Sequence, residues 1–465
     1  MKRFLTMFAS ALLLCAALCV SASASDFDDV ATELSAIGMF RGTGTSFELD
    51  RAPTRAEAAI MLTRLYGAEE AATADYAAGK IAHPFTDVPE YAAPHIAWLY
   101  TQGLTKGMSA DQFGSAAACS AQSYATFLLR ALGYQDGEDF DYADALAFAQ
   151  EKGFYSPLMF GGAFLRDDLA AMTYQALAAD TKGGKTYLLS QLIQDGAVDK
   201  TAAAPMTEKM ELYRELCASD GSLDANALDM DLLMALDMTM TAQGETLTSS
   251  TSAYGNVQTI VAGTDVELAY ILTTISDGAM MDMGIWMKDG WVYQYASDGA
   301  LTQTIKYAVT DEFAMLEELG VPESTGVDVS DLAAVKSITK EKDGTDTIYT
   351  LVIAEGMGGM MDSVMDLVGQ SLEDGSELTA NIGEVRLYYL LDRKGNLKEM
   401  GMQMPYYMTM NVADEDGTLV GVEASCDMRM VMTVNATGKD VTIEYPDLSA
   451  FVEVDLTEDA TLPAA

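Results

Sequence analysis

The chain has 465 residues, and 70 acidic side chains against 27 basic ones give it a formal net charge of −43 at neutral pH. A surface this acidic excludes a nucleic-acid-binding protein that works through a general basic face. Because 49% of the residues are hydrophobic and only 21% are charged, the chain can bury real cores, and its length predicts two or three domains.

Residues 1–24 have the features of a secretory signal peptide. A short basic start precedes an apolar run from Phe4 to Val20 and small residues that end near Ala24. Neither Cys15 nor Cys19 directly follows a small residue, which disfavours a lipoprotein. No later stretch is long and apolar enough to span a membrane. We therefore expect a secreted, soluble protein without a membrane span.

The next part of the chain contains a threefold internal repeat. Each segment has the pattern of a helix, a glycine-bounded loop and a second helix. One such unit is too small to bury its own apolar face, so the three are expected to pack on one another. The segments span about 26–67, 85–133 and 140–180.

Two motifs mark these segments. Phe27-Asp28-Asp29-Val30 and Phe85-Thr86-Asp87-Val88 share the pattern Phe-x-Asp-Val, and Thr54-Arg55-Ala56-Glu57 opens the second helix of the first segment. Together with a Gly-x-x-x-Gly spacing, these motifs resemble the S-layer homology (SLH) domain. The resemblance implies an all-α domain of three pseudo-symmetric copies within 25–182. It also implies grooves between the copies that bind a secondary cell-wall polysaccharide, whose pyruvate ketal carries a carboxylate.

Arginine is the side chain best suited to that ligand, because its planar donor fork matches a carboxylate. Arg55 and Arg166 occupy the motif position in the first and third segments, near helix N–H groups that also favour an anion. A surface ion pair is the alternative role for both. The second segment has Cys119-Ser120-Ala121 instead, so the arginine is missing and we expect a weak or silent groove.

Seven further residues of the repeats are candidates for sugar contact, each with a structural alternative. Trp98 is suited to stacking on a sugar or to packing between helices. Asp29 and Asp87 are suited to sugar hydroxyls or to helix capping. The glycines permit backbone turns or the close approach of a ligand. These glycines are Gly38, Gly42, Gly103 and Gly107.

A looser stretch over 183–205 predicts a short helix and a linker, and from about Leu228 the apolar period changes to two. The strand pattern predicts an α+β domain over 206–465, with a curved antiparallel sheet. Helices are expected near 311–319 and 360–372.

A short aromatic segment of this domain, Trp286 to Tyr295, contains a hairpin signal at Asp289-Gly290. Its strand rhythm resembles an uncharacterised family of Gram-positive surface proteins and lipoproteins. That family is similar in its curved sheet to lipoprotein carrier half-barrels. The resemblance implies a shape and an apolar groove.

Methionine recurs with period two in the last strands, so that each set faces one side of its strand. These residues form either the core under a helix or a soft apolar face that accepts a lipid or another amphipathic ligand. The set is Met400, Met402, Met404, Met428, Met430 and Met432. Neither they nor the two histidines have the companions that a metal site needs, and no metal or cofactor is expected.

The sequence favours a non-catalytic protein. No histidine follows His95, so Ser-His and Cys-His mechanisms are excluded in the carboxyl-terminal domain. Cys119, Cys217 and Cys426 are widely separated and are expected to be separate thiols. We expect a secreted protein attached non-covalently to the cell wall that displays its sheet domain. The alternative is a wall-tethered glycan hydrolase that depends on carboxylates.

Overall fold

The computed structural model describes residues 27–42, 46–157, 160, 163–219, 226–242, 245–263, 265–309, 332–353, 378–413 and 419–454. The predicted signal peptide and the helices predicted near 311–319 and 360–372 lie outside these residues. The described chain divides into a helical unit and a sheet unit. This confirms the two-part prediction of an amino-terminal helical part and a large antiparallel sheet.

The helical unit runs to Glu215 and includes residues 332–336 from much later in the chain. It also contains 3₁₀ turns at Tyr142–Asp144 and Leu332–Ala334. The described α-helices are α1 (Asp28–Ala36), α2 (Arg55–Leu65), α3 (Glu69–Ala77), α4 (Ala93–Thr101), α5 (Ala121–Ala131), α6 (Ala145–Glu151), α7 (Arg166–Ala178), α8 (Leu188–Gln194) and α9 (Ala204–Ala218).

The first helix of each predicted segment ends in the same way. Gly38, Gly103 and Gly153 follow α1, α4 and α6 with φ angles of +80°, +72° and +79°. After each glycine, the next N–H reaches the carbonyl five residues back, as Met39 N does to Leu34 O at 2.9 Å. This Schellman arrangement requires a left-handed residue, which only glycine provides without strain. Gly38 and Gly103 therefore act at turns.

The helices α2 and α7 begin on the loop of another segment with matching backbone hydrogen bonds. Residues at the helix start donate to alternate carbonyls of that loop, from the first segment to the second and from the third to the first. The bonds are Arg55 N to Ala117 O (2.9 Å), Ala56 N to Ser115 O (3.2 Å), Arg166 N to Arg51 O (2.9 Å) and Asp167 N to Leu49 O (3.2 Å).

The stretch 183–205, which the sequence assigns to a linker, is packed into the helical unit. Leu189 is fully buried and Val198 is 3% exposed. The helix α8, with seven residues, lies where the short helix is predicted, and the residues that follow it pack as well, because their partners come from distant parts of the chain. The compact unit thus continues to Glu215 instead of ending near residue 182.

Residues 332–336 complete the core of this unit. Leu332 is fully buried, and the carbonyl of Val335 accepts a hydrogen bond from Lys209 Nζ at 3.1 Å. Lys209 also pairs with Glu33 at 2.7 Å, which joins α9 to α1. Burial lowers the pKa of this lysine, although the nearby Glu33 opposes the shift.

The sheet unit contains one sheet, of thirteen strands within the described residues. The strands are β1 (Ala227–Ala242), β2 (Glu245–Ala262), β3 (Asp265–Ser276), β4 (Ala279–Lys288), β5 (Trp291–Ser297), β6 (Thr302–Ala308), β7 (Val335–Asp343), β8 (Asp346–Ile353), β9 (Leu378–Ile382), β10 (Val385–Leu391), β11 (Leu397–Ala413), β12 (Leu419–Thr437) and β13 (Val452–Glu453). Their order in the sheet is β13-β6-β5-β4-β3-β2-β1-β12-β11-β10-β8-β7. From β6 to β8 along this order the neighbouring strands are antiparallel, whereas β13 and β6 are parallel. The strand β9 pairs with β11 in the antiparallel direction.

The two faces of this sheet bury different residues. On one face a row of methionines crosses three strands, because Met234 pairs with Met430 and Met430 with Met402. On the other face, Phe451 of the carboxyl-terminal segment packs on Trp286 and Ala269. Alternation of inward and outward residues along each strand produces both clusters.

The predicted methionine face is largely buried. Met402, Met404, Met428 and Met430 are between 2% and 8% exposed, and Met400 and Met432 are half-buried. This burial favours the core interpretation of these residues. Within the described residues, Cys119, Cys217 and Cys426 form no disulfide, and burial raises the pKa of Cys119 to about 12 and that of Cys426 to about 11.

Candidate functional site

Arg166 begins α7 and is buried, with 6% of its surface exposed. Each of its three guanidinium nitrogens donates a hydrogen bond: Nε to Phe47 O at 3.0 Å, Nη1 to Glu57 Oε1 at 3.3 Å and Nη2 to Arg41 O at 3.2 Å. The guanidinium also lies over the Phe40 ring, 4.9 Å from its centroid. Arg166 therefore holds the loop between α1 and α2 against α7.

A pocket of about 320 Å³ opens beside this arginine. It combines three guanidinium groups with apolar side chains and one exposed tyrosine. Its lining residues are Met39, Phe40, Arg41, Gly42, Glu57, Ile60, Met61, Arg64, Tyr91, Arg166 and Leu169. Two of the predicted sugar-binding residues, Gly42 and Arg166, thus meet in one pocket.

Gly42 has a local structural reason to be glycine. A Cβ atom there would lie 2.2 Å from the carbonyl oxygen of Ser46, which is far inside van der Waals contact. Gly107 occupies the matching position of the second segment, and a Cβ there would lie 2.3 Å from the Phe85 ring. Both glycines permit close approach within the protein, and Gly42 also lines the pocket wall.

The carboxylate of Glu57 lies at the junction of two arginines. Arg51 contacts it at 2.5 Å and Arg166 at 3.3 Å, while its other oxygen accepts from the backbone N–H of Thr54 at 2.8 Å. Burial alone would raise the pKa of Glu57, but these hydrogen bonds and charges lower it to about 2. Glu57 is thus a permanent anion at neutral pH.

Acid should weaken the helical unit through Glu57. The pKa of this carboxyl is near 4.5 in the unfolded chain and about 2 in the folded one. Its contribution to stability is therefore complete above pH 4.5 and is lost as the pH falls from 4.5 to 2. We expect the melting temperature of Glu57→Gln to fall less than that of the parent between pH 5 and pH 2.5. Thermal unfolding followed by circular dichroism measures both slopes, and equal slopes would contradict the assignment.

Arg55 occupies a different environment from Arg166. Its Nε donates to Phe113 O at 3.1 Å, and its guanidinium lies 5.1 Å from the centre of the Phe113 ring. Among the residues that the structure describes, no carboxylate forms an ion pair with it. Arg55 does not line the pocket at Arg166, so the two predicted arginines are not brought together.

The two predicted aspartates have different surroundings. Asp87 accepts hydrogen bonds from the backbone N–H groups of Phe113, Gly114 and Ser115 at 2.7 to 3.1 Å. These bonds lower its pKa against the opposing effect of burial, and they fix the loop before α5. Asp29 lies exposed in the first turn of α1, where its negative charge interacts favourably with the positive end of the helix dipole. Neither aspartate lines the pocket.

Trp98 is half-buried on α4, with its ring 5.5 Å from that of Tyr66. Trp98 therefore packs against the end of α2.

Within the described residues, no group of three His, Cys, Asp or Glu side chains is arranged to hold a metal ion. None of the described helices combines the length and apolar character that a membrane crossing requires.

Arg41, Arg64 and Tyr91 line the pocket but belong to none of the motifs in the sequence. One wall of the pocket could have been found from the sequence, because it is a single face of α2. Its residues follow the i, i+3, i+4, i+7 spacing of a helix face and are Glu57, Ile60, Met61 and Arg64. No sequence pattern places Tyr91 of the second segment beside the first.

Comparison with known proteins gives little. No family model and no curated protein matches the chain. The chain is similar to the crystal structure of ywiB protein from Bacillus subtilis, at 10% identity over 47% of this chain and 99% of that one, with a TM-score of 0.13. It is also similar to a DUF1329 family protein from Desulfovibrio piger, at 12% identity over 51% of this chain and 95% of that one, with a TM-score of 0.15. Neither likeness bears on function.

Proposed function

We propose that the chain is a secreted, non-catalytic cell-surface protein whose helical unit is of the S-layer homology type. The unit contains three pseudo-symmetric copies and attaches the protein to an anionic secondary cell-wall polysaccharide. The sheet unit is the part that is displayed at the surface.

The pocket that contains both Gly42 and Arg166 carries this proposal. It lies where α7 of the third segment meets the loop of the first, which is the place where the family resemblance implies a groove. The matching hydrogen bonds at the starts of α2 and α7 support a repeated arrangement of copies. In the second segment, Ala121 takes the place of the motif arginine, which agrees with a weaker groove at that segment.

The chemistry of the pocket suits a charged sugar. Arg41 and Arg64 offer donor groups to an anion, while Ile60, Met61 and Tyr91 offer apolar surface to a sugar face. In a chain with a net charge of −43, such a concentration of guanidinium groups provides a local attraction that the rest of the surface lacks.

The test is sedimentation of the full chain with purified cell walls, before and after chemical removal of the wall polysaccharide. We expect binding that is lost with the polysaccharide and weakened about tenfold or more by Ile60→Glu, which places an acid in the pocket. Ala71→Glu adds the same charge at an exposed position of α3 and should bind as the parent does. A parent chain that does not sediment with intact walls would refute the tether.

For the sheet unit the proposal is limited to display, with an apolar or amphipathic ligand as its partner at the methionine face. Four methionines of this face are buried, so such a ligand would need them to become accessible; they are Met402, Met404, Met428 and Met430.

The non-catalytic assignment has its own test. Incubating the full chain with a panel of wall glycans measures hydrolysis directly. Hydrolysis that is abolished by substituting one carboxylate residue would contradict the assignment.

A further inference from the structure

The arginines around the pocket differ in how far the protein itself neutralises them. Arg166 and Arg51 share the carboxylate of Glu57, and Arg51 pairs in addition with Glu48 at 2.7 Å. The Arg166 side chain is only 7% exposed, and every one of its nitrogens already has a protein acceptor. On this side of the pocket, two positive charges face two negative ones.

The other side has an excess of positive charge. Arg41 and Arg64 share a single carboxylate, that of Glu69, at 2.8 and 3.0 Å. Both donor nitrogens that Arg64 uses, Nε and Nη2, point to the same oxygen of Glu69. In the part of the chain that the structure describes, no second carboxylate pairs with either arginine. Both arginines line the pocket, whereas Glu69 does not.

We propose that Arg41 and Arg64, rather than Arg166, are the anion-binding pair of this pocket, and that they select a carboxylate-bearing sugar. This inference rests on the proposed tethering function, because it names the groups that recognise the polymer. The ligand carboxylate takes the place of the missing second acid beside these two arginines. The sugar ring then lies against Tyr91, a residue that lines the pocket and is 63% exposed.

The physical basis is the difference in desolvation and in partners. An arginine whose donors are already bonded gains little from a new anion, since it must first give up a protein acceptor. A guanidinium with spare donors and an uncompensated charge binds a carboxylate through charge-assisted hydrogen bonds at a smaller cost. The side chain of Arg41 is 54% exposed, which gives a ligand access to the pair.

The test uses sodium glucuronate as the probe and glucose as its uncharged control, with saturation-transfer NMR titrations on the full chain. We expect the parent to bind glucuronate at least about tenfold more tightly than glucose. Arg41→Gln and Arg64→Gln should each weaken glucuronate binding about tenfold. Arg386→Gln removes an exposed arginine of the sheet unit, where it pairs with Glu384, and should leave the affinity unchanged.

Two results would overturn the inference: equal binding of glucuronate and glucose by the parent, or unchanged glucuronate binding in both pocket variants. Circular dichroism confirms folding, and Arg41→Gln gives a clear answer even if Arg64→Gln unfolds, because Arg41 is the more exposed residue. Wall sedimentation separates the two proposals. Walls that bind the parent and Arg41→Gln equally would refute the anion pair alone, whereas walls that do not bind the parent would refute the tether.

Discussion

Replacing Arg166 with alanine is expected to lower the free energy of unfolding of the helical unit by about 3 kcal/mol. The substitution removes hydrogen bonds to the carbonyls of Phe47 and Arg41 and one partner of Glu57, all near a buried position. Hydrogen bonds to charged groups contribute about 1.5 to 3 kcal/mol each when both partners are desolvated, and the remaining ion pair of Glu57 with Arg51 limits the loss.

Arg55→Ala is the matched control for this prediction. Arg55 begins α2 as Arg166 begins α7, but within the described residues its side chain donates one hydrogen bond, to Phe113 O. We therefore expect the free energy of unfolding to fall by only about 1 kcal/mol. Urea unfolding followed by Trp98 fluorescence, in a background of Trp286→Phe and Trp291→Phe, reports on the helical unit alone. Equal losses for the two variants would show that the buried contacts of Arg166 do not stabilise the unit.

Replacing Met430 with alanine is expected to lower the free energy of unfolding of the sheet unit by about 3 kcal/mol, because it leaves a cavity between buried neighbours. Met430 is 5% exposed and pairs across the sheet with both Met234 and Met402. Fluorescence of Trp286 and Trp291 in a Trp98→Phe background follows this unit.

The neighbouring residue provides the control. Val431 points to the opposite face and is half-buried, so Val431→Ala should cost only about 1 kcal/mol. Met430→Leu keeps the volume and should cost less than about 1.5 kcal/mol. A loss below about 1 kcal/mol for Met430→Ala would favour an open ligand-binding face over a packed core.

Local features of the fold were predictable because their causes are local. The spacing of Thr54 and Glu57 predicts a capping box, and both of its hydrogen bonds are present, at 3.2 and 2.8 Å. Asp289-Gly290 predicts a hairpin, and the two residues have φ angles of +53° and +77° between β4 and β5. In both cases, residues within three positions of each other determine the backbone.

The composition of the site was less predictable because its partners are distant in sequence. The motif points to Arg166, but nothing local shows that Glu57, from another segment, neutralises it. For the same reason the pattern did not reveal that 332–336 belongs to the helical unit. The four apolar residues Leu332, Ala333, Ala334 and Val335 are too few to show a period.

That late segment has a consequence for the order of folding. Domains usually fold as they emerge, from the amino terminus onward. Here the amino-terminal unit lacks the Val335 carbonyl that Lys209 contacts, and the buried Leu332, until more than a hundred further residues have been synthesised. A polypeptide arrested during synthesis before residue 332 should therefore be more sensitive to protease in its helical part than the finished chain. The helical unit is therefore complete only after a large part of the sheet unit has been synthesised.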